Sequence, residues 1–370
     1  MSKELFRREL AAFQPYVPGK PIEEVKREFG LTRIEKLASN ENQLGPSPLA
    51  VEAVRKAAET MNFYPESTAI DLKKELAEHL NKQTDFVVTP DHLVIGNGGE
   101  ELLQVIAQTF INEGDEIVVP APSFGIYNTT TGLMGAKTVS VPFKGTEFDL
   151  EGMVAAVTDK TKLFYLCSPN NPTGNILKLE QLEYLLQNVP EDVVLILDEA
   201  YYEFATNLSP DYPQSLSLLA KRKNLLILRT FSKVCGIAGV RIGYVISNLH
   251  IAAEMNKVKL TFNANRLAQE AARGALKDTD HMEKTLALNA LSLKLMTEAF
   301  DRLGLAYIPS SANFIFVDCK KHSKDVFDQL LRKGVIIRPG YFWGWDNWIR
   351  VSTGTEEQTK FFIEKLEEVL

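Results

Sequence analysis

Residues 225–246 read LLILRTFSKVCGIAGVRIGYVI. A strand-length apolar run, 225–229, leads into Ser232-Lys233 and a loop carrying Gly236, Gly239 and Arg241, and a second strand-like run follows over 241–246. The same texture extends upstream. Short runs at 92–95 (HLVI), 116–119 (EIVV), 137–141 (KTVSV), 163–167 (LFYLC) and 193–197 (VVLIL) alternate with helical stretches such as about 100–112 and 123–134. Buried apolar strands separated by helices are the pattern of βαβ units around a mostly parallel sheet. The expectation is an α/β protein whose large domain spans 45–262.

Downstream the texture changes. Residues 263–303 are helix-compatible almost throughout, with no proline and only Gly274 interrupting, and predict a helix linking the large domain to a smaller one. Strands at 313–317, 335–338 and 348–352, a helix over about 324–333 and a last helix from about 356 form an α+β unit. The chain thus divides into an N-terminal arm (1–44) that completes the small domain, a large domain (45–262), and a linking helix with the small domain (263–370).

The chain has 370 residues with 41 Lys plus Arg against 48 Asp plus Glu, and no basic run longer than Lys221-Arg222-Lys223, which disfavours nucleic acid and membrane surfaces as partners. Apolar runs are strand-sized, well below the roughly 20 residues of a membrane span. The first ten residues, MSKELFRREL, lack the apolar core of a signal peptide. Cys167, Cys235 and Cys319 are odd in number and far apart, which suits a reducing compartment. The expected localisation is cytoplasmic.

Four segments carry candidate chemistry, each after a strand. LILDEAYYEF (195–204) ends a buried strand in Asp198, with Tyr201 three residues on. A carboxylate there needs a cationic partner unless it merely caps a turn. In TFSKVCGIAGVRIGY (230–244) a lysine beside small apolar residues, if desolvated near other cations, becomes a nucleophilic amine; an ordinary loop lysine would sit in solvent. Ser232 and Arg241 are natural phosphate ligands. SPNNPTG (168–174) fixes a tight turn around Asn171, and GNGGEE (96–101) offers the amides of Gly98, Gly99 and Glu100 to an anion. A dinucleotide loop is a poor match for that last segment, because Glu101 stands where a third glycine or alanine is needed. Gly19-Lys20 lacks the earlier glycine of a P-loop and is followed by Pro21. The five histidines lie outside every cluster, and no metal site is expected.

In this combination and order the four segments, with IRVSTGT (349–355), resemble the fold-type I aminotransferases that use pyridoxal 5′-phosphate (PLP), from about Leu37 to the C-terminus. With ASNENQLGPSP (38–48) and Tyr64-Pro65 the sequence is most similar to the histidinol-phosphate aminotransferase branch. The resemblance implies a large PLP-binding domain built on a mostly parallel seven-stranded sheet flanked by helices. It implies that Lys233 holds the cofactor and shuttles the substrate proton, that Asp198 pairs with the pyridine nitrogen, and that Tyr201 and Asn171 hydrogen-bond the 3′-oxygen. Ser232, Arg241 and the Gly98–Glu100 segment would bind the phosphate, and Phe124 would stack on the ring. Tyr64 would reach the neighbouring subunit's site, which implies a homodimer with shared active sites. Arg350, helped by Arg338, Tyr16 and Asn42, would hold the substrate, an amino donor or keto acid.

Gln43, Gly99, Thr261 and Cys235 depart from the branch pattern, and Cys235 reads as a small buried hydrophobe. The aromatic segment YFWGWDNW (341–348) reads either as core of the small domain or as the wall of a pocket for an aromatic side chain. The expected reaction is histidinol phosphate with 2-oxoglutarate. The alternatives are an aromatic or broad-specificity amino-acid aminotransferase, or a decarboxylase on the same scaffold resembling the threonine-phosphate enzyme.

Overall fold

The protein was analysed as a computed structural model, which describes residues 5–15 and 20–370. Its strands, in chain order, are β1 (Glu35–Lys36), β2 (Leu93–Gly96), β3 (Glu116–Ala121), β4 (Lys137–Pro142), β5 (Thr161–Cys167), β6 (Val194–Asp198), β7 (Leu225–Thr230), β8 (Gly243–Ser247), β9 (Tyr307–Ile308), β10 (Phe314–Asp318), β11 (Val335–Ile336), β12 (Arg338–Pro339) and β13 (Trp348–Ser352).

Seven of them form the central sheet, in the order β2-β8-β7-β6-β5-β3-β4. Only β8 runs against its neighbours, as a mostly parallel sheet requires of a strand reached by a short loop rather than a helical crossover. The apolar runs alternate between two buried faces. Leu195, Leu197 and Ile227 pack into one core layer, whereas Val194, Ile196, Leu226 and Leu228 pack into the other. Both faces are covered along the central strands β2 and β5–β8, where the strand residues are predominantly apolar, whereas the edge strand β4 is partly exposed.

The helices carry the matching 3.6-residue pattern. Leu102, Leu103, Val105, Ile106 and Ala107 of helix Gly99–Phe110 are buried against the sheet. Helix Pro48–Ala57 starts on a Ser47 cap with proline in its first turn. It packs against helix Arg266–Ala275, whose Ala268, Ala271, Ala272 and Ala275 make a small-residue stripe. At Gly274 a Cβ would lie 2.5 Å from the Leu49 carbonyl oxygen, so a side chain there would separate the two helices.

The stretch 263–303 is not one helix. Asp278 ends the first segment and caps the second, Thr279–Leu303, by accepting from the His281 amide while its other oxygen accepts from Ser47 Oγ at 2.6 Å. The alanine stripe of 266–275 packs into one core layer of the large sheet. The helix expected over 123–134 is likewise shorter, Ile126–Gly132.

The smaller body is an antiparallel sheet in the order β12-β13-β10-β9, backed by helices Thr279–Leu303, Ser323–Arg332 and Glu356–Val369. The strand expected over 335–338 divides its pairing. Val335–Ile336 pairs with Glu35–Lys36 of the N-terminal arm, and Arg338–Pro339 pairs with β13. The arm's helix Ile22–Phe29 buries Val25 against Leu331 and Ile336, which is how residues before 45 complete this body.

Candidate active site

The carboxyl ends of β2, β5, β6 and β7 and the start of β8 fall on one edge of the central sheet, since Gly96 and Thr230 both pair with Gly243 and Cys167 pairs with Asp198. Open α/β sheets place ligands at this edge because the loops there carry no ladder hydrogen bonds and diverge. The cleft beyond it has a volume of about 840 Å³. Its wall includes Gly99, Glu100, Phe124, Asn171, Asp198, Tyr201, Ser232, Lys233 and Arg241 from the large body, and Arg338, Phe342, Trp343 and Arg350 from the small one.

One end of the cleft is built for an anion. Gly98 has φ +86°, a conformation that glycine tolerates, and a Cβ there would strike the Arg241 guanidinium. Helix Gly99–Phe110 begins immediately after, so its first amides have no intrahelical acceptor. Gly243 backs this cradle, because a Cβ on it would lie 3.0 Å from the Gly99 nitrogen. Arg241 itself has φ +63°, held while its Nη1 donates to the Ala238 carbonyl at 3.0 Å. Ser232 is buried beside it, its hydroxyl accepting from Thr230 Oγ1 at 3.0 Å.

The centre of the cleft is set by Asp198. Its Oδ1 accepts from the Ala200 amide at 3.0 Å and its Oδ2 from the Tyr127 hydroxyl at 2.6 Å. Burial pushes this acid up to about 6, and the Tyr127 hydrogen bond is the largest influence holding it down. Tyr201 accepts from Asn40 Nδ2 at 2.9 Å, which leaves its own hydroxyl proton for the cleft. Lys233 Nζ lies 3.4 Å from the Ser39 carbonyl and 5.7 Å from the Tyr201 ring centre. Desolvation, then the Arg350 guanidinium, lowers its amine to about 8, against the opposing pull of Glu41. The amine thus loses its proton in a lower pH range than an ordinary lysine does, so more of it is free base just above neutrality.

The two bodies meet across Arg350. Its Nη1 donates to Asn171 Oδ1 at the end of β5, and its Nη2 donates to the Ala38 carbonyl at 2.6 Å. Arg338 is its direct partner in the β12–β13 ladder, so both side chains leave the same face of the small sheet. The Arg338 guanidinium lies 4.2 Å from the centre of the Phe342 ring. The aromatic segment 341–348 divides its duties. Phe342 and Trp343 face the cleft, while Trp343, Trp345 and Trp348 all pack around the buried Phe316.

Two expected residues are placed elsewhere. Asn42 does not line the cleft; its Nδ2 donates to the Val234 carbonyl at 2.9 Å and to Thr285 Oγ1 at 3.0 Å, so its amide is used to hold the lysine loop. Tyr64 is 77% exposed and stacks on Phe262 at 4.7 Å, outside the cleft of its own chain. Tyr16 lies outside the described residues, although Gln14 and Pro15 beside it line the cleft. Sequence reasoning missed Asn40, Tyr127 and the Glu199–Arg229 pair. Asn40 has φ +55°, is buried, and exchanges hydrogen bonds with Ser352 and Asn313 besides Tyr201. An asparagine in a polar turn such as SNEN is the one local signal for it.

Among the described residues, no group of three His, Cys, Asp or Glu side chains is placed to hold a metal, and no helix is long and apolar enough to cross a membrane.

Comparison with known proteins places the chain in a family. Residues 32–366 match the family described as aminotransferase class I and II, and the chain belongs to it. Among its relatives, the histidinol-phosphate aminotransferase of Moorella thermoacetica is 45% identical over 365 residues, 98% of this chain and 92% of that protein. The crystal structure of histidinol-phosphate aminotransferase from Sinorhizobium meliloti in complex with pyridoxal-5′-phosphate superposes with a TM-score of 0.87 at 31% identity, covering 100% of this chain and 98% of that one. Aspartate aminotransferase from Thermus thermophilus with maleate superposes almost as well, with a TM-score of 0.86 at 25% identity and full coverage of both chains. The backbone shape therefore does not select among amino donors, and the side chains of the cleft must.

Proposed function

We propose that this chain is a PLP-dependent histidinol-phosphate aminotransferase of histidine biosynthesis, acting as a homodimer in the cytoplasm. It would transfer the amino group of histidinol phosphate to 2-oxoglutarate, reversibly, yielding imidazole acetol phosphate and glutamate. The residues of the cleft fit the cofactor. Gly99 and Glu100 amides, Ser232 and Arg241 form a cradle of phosphate size; Asp198 is a buried carboxylate able to hold a proton at a ring nitrogen; Phe124 offers a ring face. When bound, PLP supplies an electron sink for the substrate's Cα electrons. Lys233 would hold the cofactor covalently and then, once displaced by substrate, move the proton at Cα. Tyr201 and Asn171 would hydrogen-bond the 3′-oxygen, and Gly98 keeps Arg241 in reach of the phosphate.

The observation that carries the choice of substrate is the register of Arg338 against Arg350. Both guanidiniums leave one face of the small sheet and line the cleft, so a phosphate dianion bound there would meet two cations, which matches its charge better than that of a single carboxylate. Phe342 and Trp343 beside them favour a flat ring such as imidazole, and Tyr16, just after the cleft-lining Pro15, is the further candidate ligand. The homodimer is supported by the exposed apolar residues Met61, Phe63, Tyr64, Leu260 and Phe262 at one margin of the large body, from which Tyr64 would complete a neighbouring subunit's site. Three free, buried cysteines suit a reducing compartment.

Single-turnover measurements with histidinol phosphate, phenylalanine and glutamate test this reading. Histidinol phosphate should react with the highest kcat/KM, and Arg338→Ala should lower it roughly 100-fold, as loss of a charge-assisted contact implies. The phenylalanine value should change less than threefold, to order of magnitude. A phenylalanine rate exceeding that of histidinol phosphate would instead make the chain an aromatic aminotransferase.

A further inference from the structure

We propose that Tyr127, which is not part of the cleft wall, is the positioning residue that orients Asp198 and keeps it ionised for the cofactor's ring nitrogen. The inference rests on the PLP reading above and goes beyond it by assigning the group that prepares the carboxylate.

Tyr127 is fully buried on helix Ile126–Gly132. Its hydroxyl donates to Asp198 Oδ2 at 2.6 Å, while the Ala200 amide takes Oδ1 at 3.0 Å. A carboxylate held at both oxygens from behind has lost its rotation, and its outward lone pairs point where the strand ends. The tyrosine ring is fixed in turn, stacked on Tyr165 at 4.6 Å and 13° and set edge-on to Phe124 at 5.6 Å. One side chain therefore braces both the carboxylate and the ring-stacking phenylalanine.

The bond also has an electrical sense. A phenol that donates stabilises the charged acid, whereas burial opposes it. The groups facing Asp198 are Tyr127 from the helix, Tyr165 and Cys167 from β5, Glu199 and Tyr201 on its own segment, and Lys233 from the loop after β7. The neutral Tyr165 and Cys167 are held in their protonated forms by burial. Glu199 favours protonation of Asp198, and Lys233 is the more distant helper. Removing the Tyr127 hydroxyl leaves burial opposed by the Ala200 amide and the charge of Lys233.

The test is titration of PLP into apo-protein, followed by fluorescence between about pH 5 and pH 8.5, the range in which a raised carboxyl titrates. For Tyr127→Phe the affinity should fall roughly tenfold at neutral pH, the order expected for a hydrogen bond to a charged group. The acid limb, where affinity is lost as the carboxylate protonates, should move up by about one pH unit. Tyr165→Phe, which removes an equally buried hydroxyl that bonds nothing, should leave the limb in place. Incorporation of 3-fluorotyrosine at 127, a stronger donor of nearly the same shape, should move the limb down, and serves if the phenylalanine variant folds poorly. An unmoved limb in both Tyr127 variants overturns the inference, provided Asp198→Ala still weakens PLP binding. If Asp198→Ala binds PLP as the wild type does, the underlying functional reading fails instead.

Discussion

Replacing Glu199 by alanine tests the electrostatic frame behind the site. Glu199 and Arg229 extend from adjacent strands on the sheet face opposite Asp198, with side chains 0% and 1% exposed. One Glu199 oxygen accepts from Arg229 Nε at 2.8 Å and lies 2.8 Å from Nη2 as its ion-pair partner, and the other accepts from the Tyr212 hydroxyl at 3.2 Å. The guanidinium also lies 3.4 Å from the centre of the Tyr202 ring and bonds Gln83 Oε1 at 3.3 Å. Glu199→Ala keeps the cation buried and removes the one carboxylate that contacts it among the described residues, which costs about 3–5 kcal/mol. That is a large part of a typical folding stability of roughly 5–15 kcal/mol. Urea unfolding of the apo-protein, followed by circular dichroism, should show this loss as a lower midpoint. The double variant Glu199→Leu/Arg229→Met replaces both charges by apolar bulk and should recover most of it. A loss below about 1 kcal/mol in the single variant, or a double variant no more stable than the single, would refute the claim that the pair's importance lies in mutual neutralisation.

Other consequences are equally direct. Lys233 is lowered to about 8 by burial and by Arg350, so its penalty on the apo-protein is full below that pH and disappears as pH rises towards the ordinary lysine value. The unfolded chain binds more protons in that window, so this group makes stability rise with pH there. The rate at which apo-protein captures PLP should climb through about pH 8, and in Arg350→Gln that rise should move to higher pH; an unchanged midpoint would remove Arg350 as a cause. Gly243→Ala should weaken PLP binding at least roughly tenfold, because its Cβ would press on the Gly99 nitrogen at 3.0 Å; equilibrium dialysis with unaltered affinity would show that the cradle yields.

Much of the fold is legible in the sequence because both faces of the large sheet are buried. Most of the central strands are apolar runs, and β2, β5, β6 and β7 end on polar or glycine-rich turns at one edge. Lys233, Asp198, Asn171, Ser232 and Arg241 stand out for the same reason, each a polar residue following a strand where a buried chain can least accommodate one. The contacts that sequence did not reveal act across distance. Tyr127 meets Asp198 over 71 positions, Arg350 meets Asn171 over 179, and Asn40 meets Ser352 over 312. In the same asparagine-rich turn Asn40 faces the cleft while Asn42 turns to the lysine loop, a division that the string SNEN does not show. The break at Asp278 was hidden because aspartate is a tolerable helix residue, and its capping role depends on Ser47, which is remote in sequence.

Borohydride reduction of the PLP-loaded protein, followed by peptide mapping, tests the central claim most directly. The account predicts a single pyridoxyl adduct on the peptide containing Lys233, absent from Lys233→Ala. An adduct on another lysine, or none at all, would contradict it.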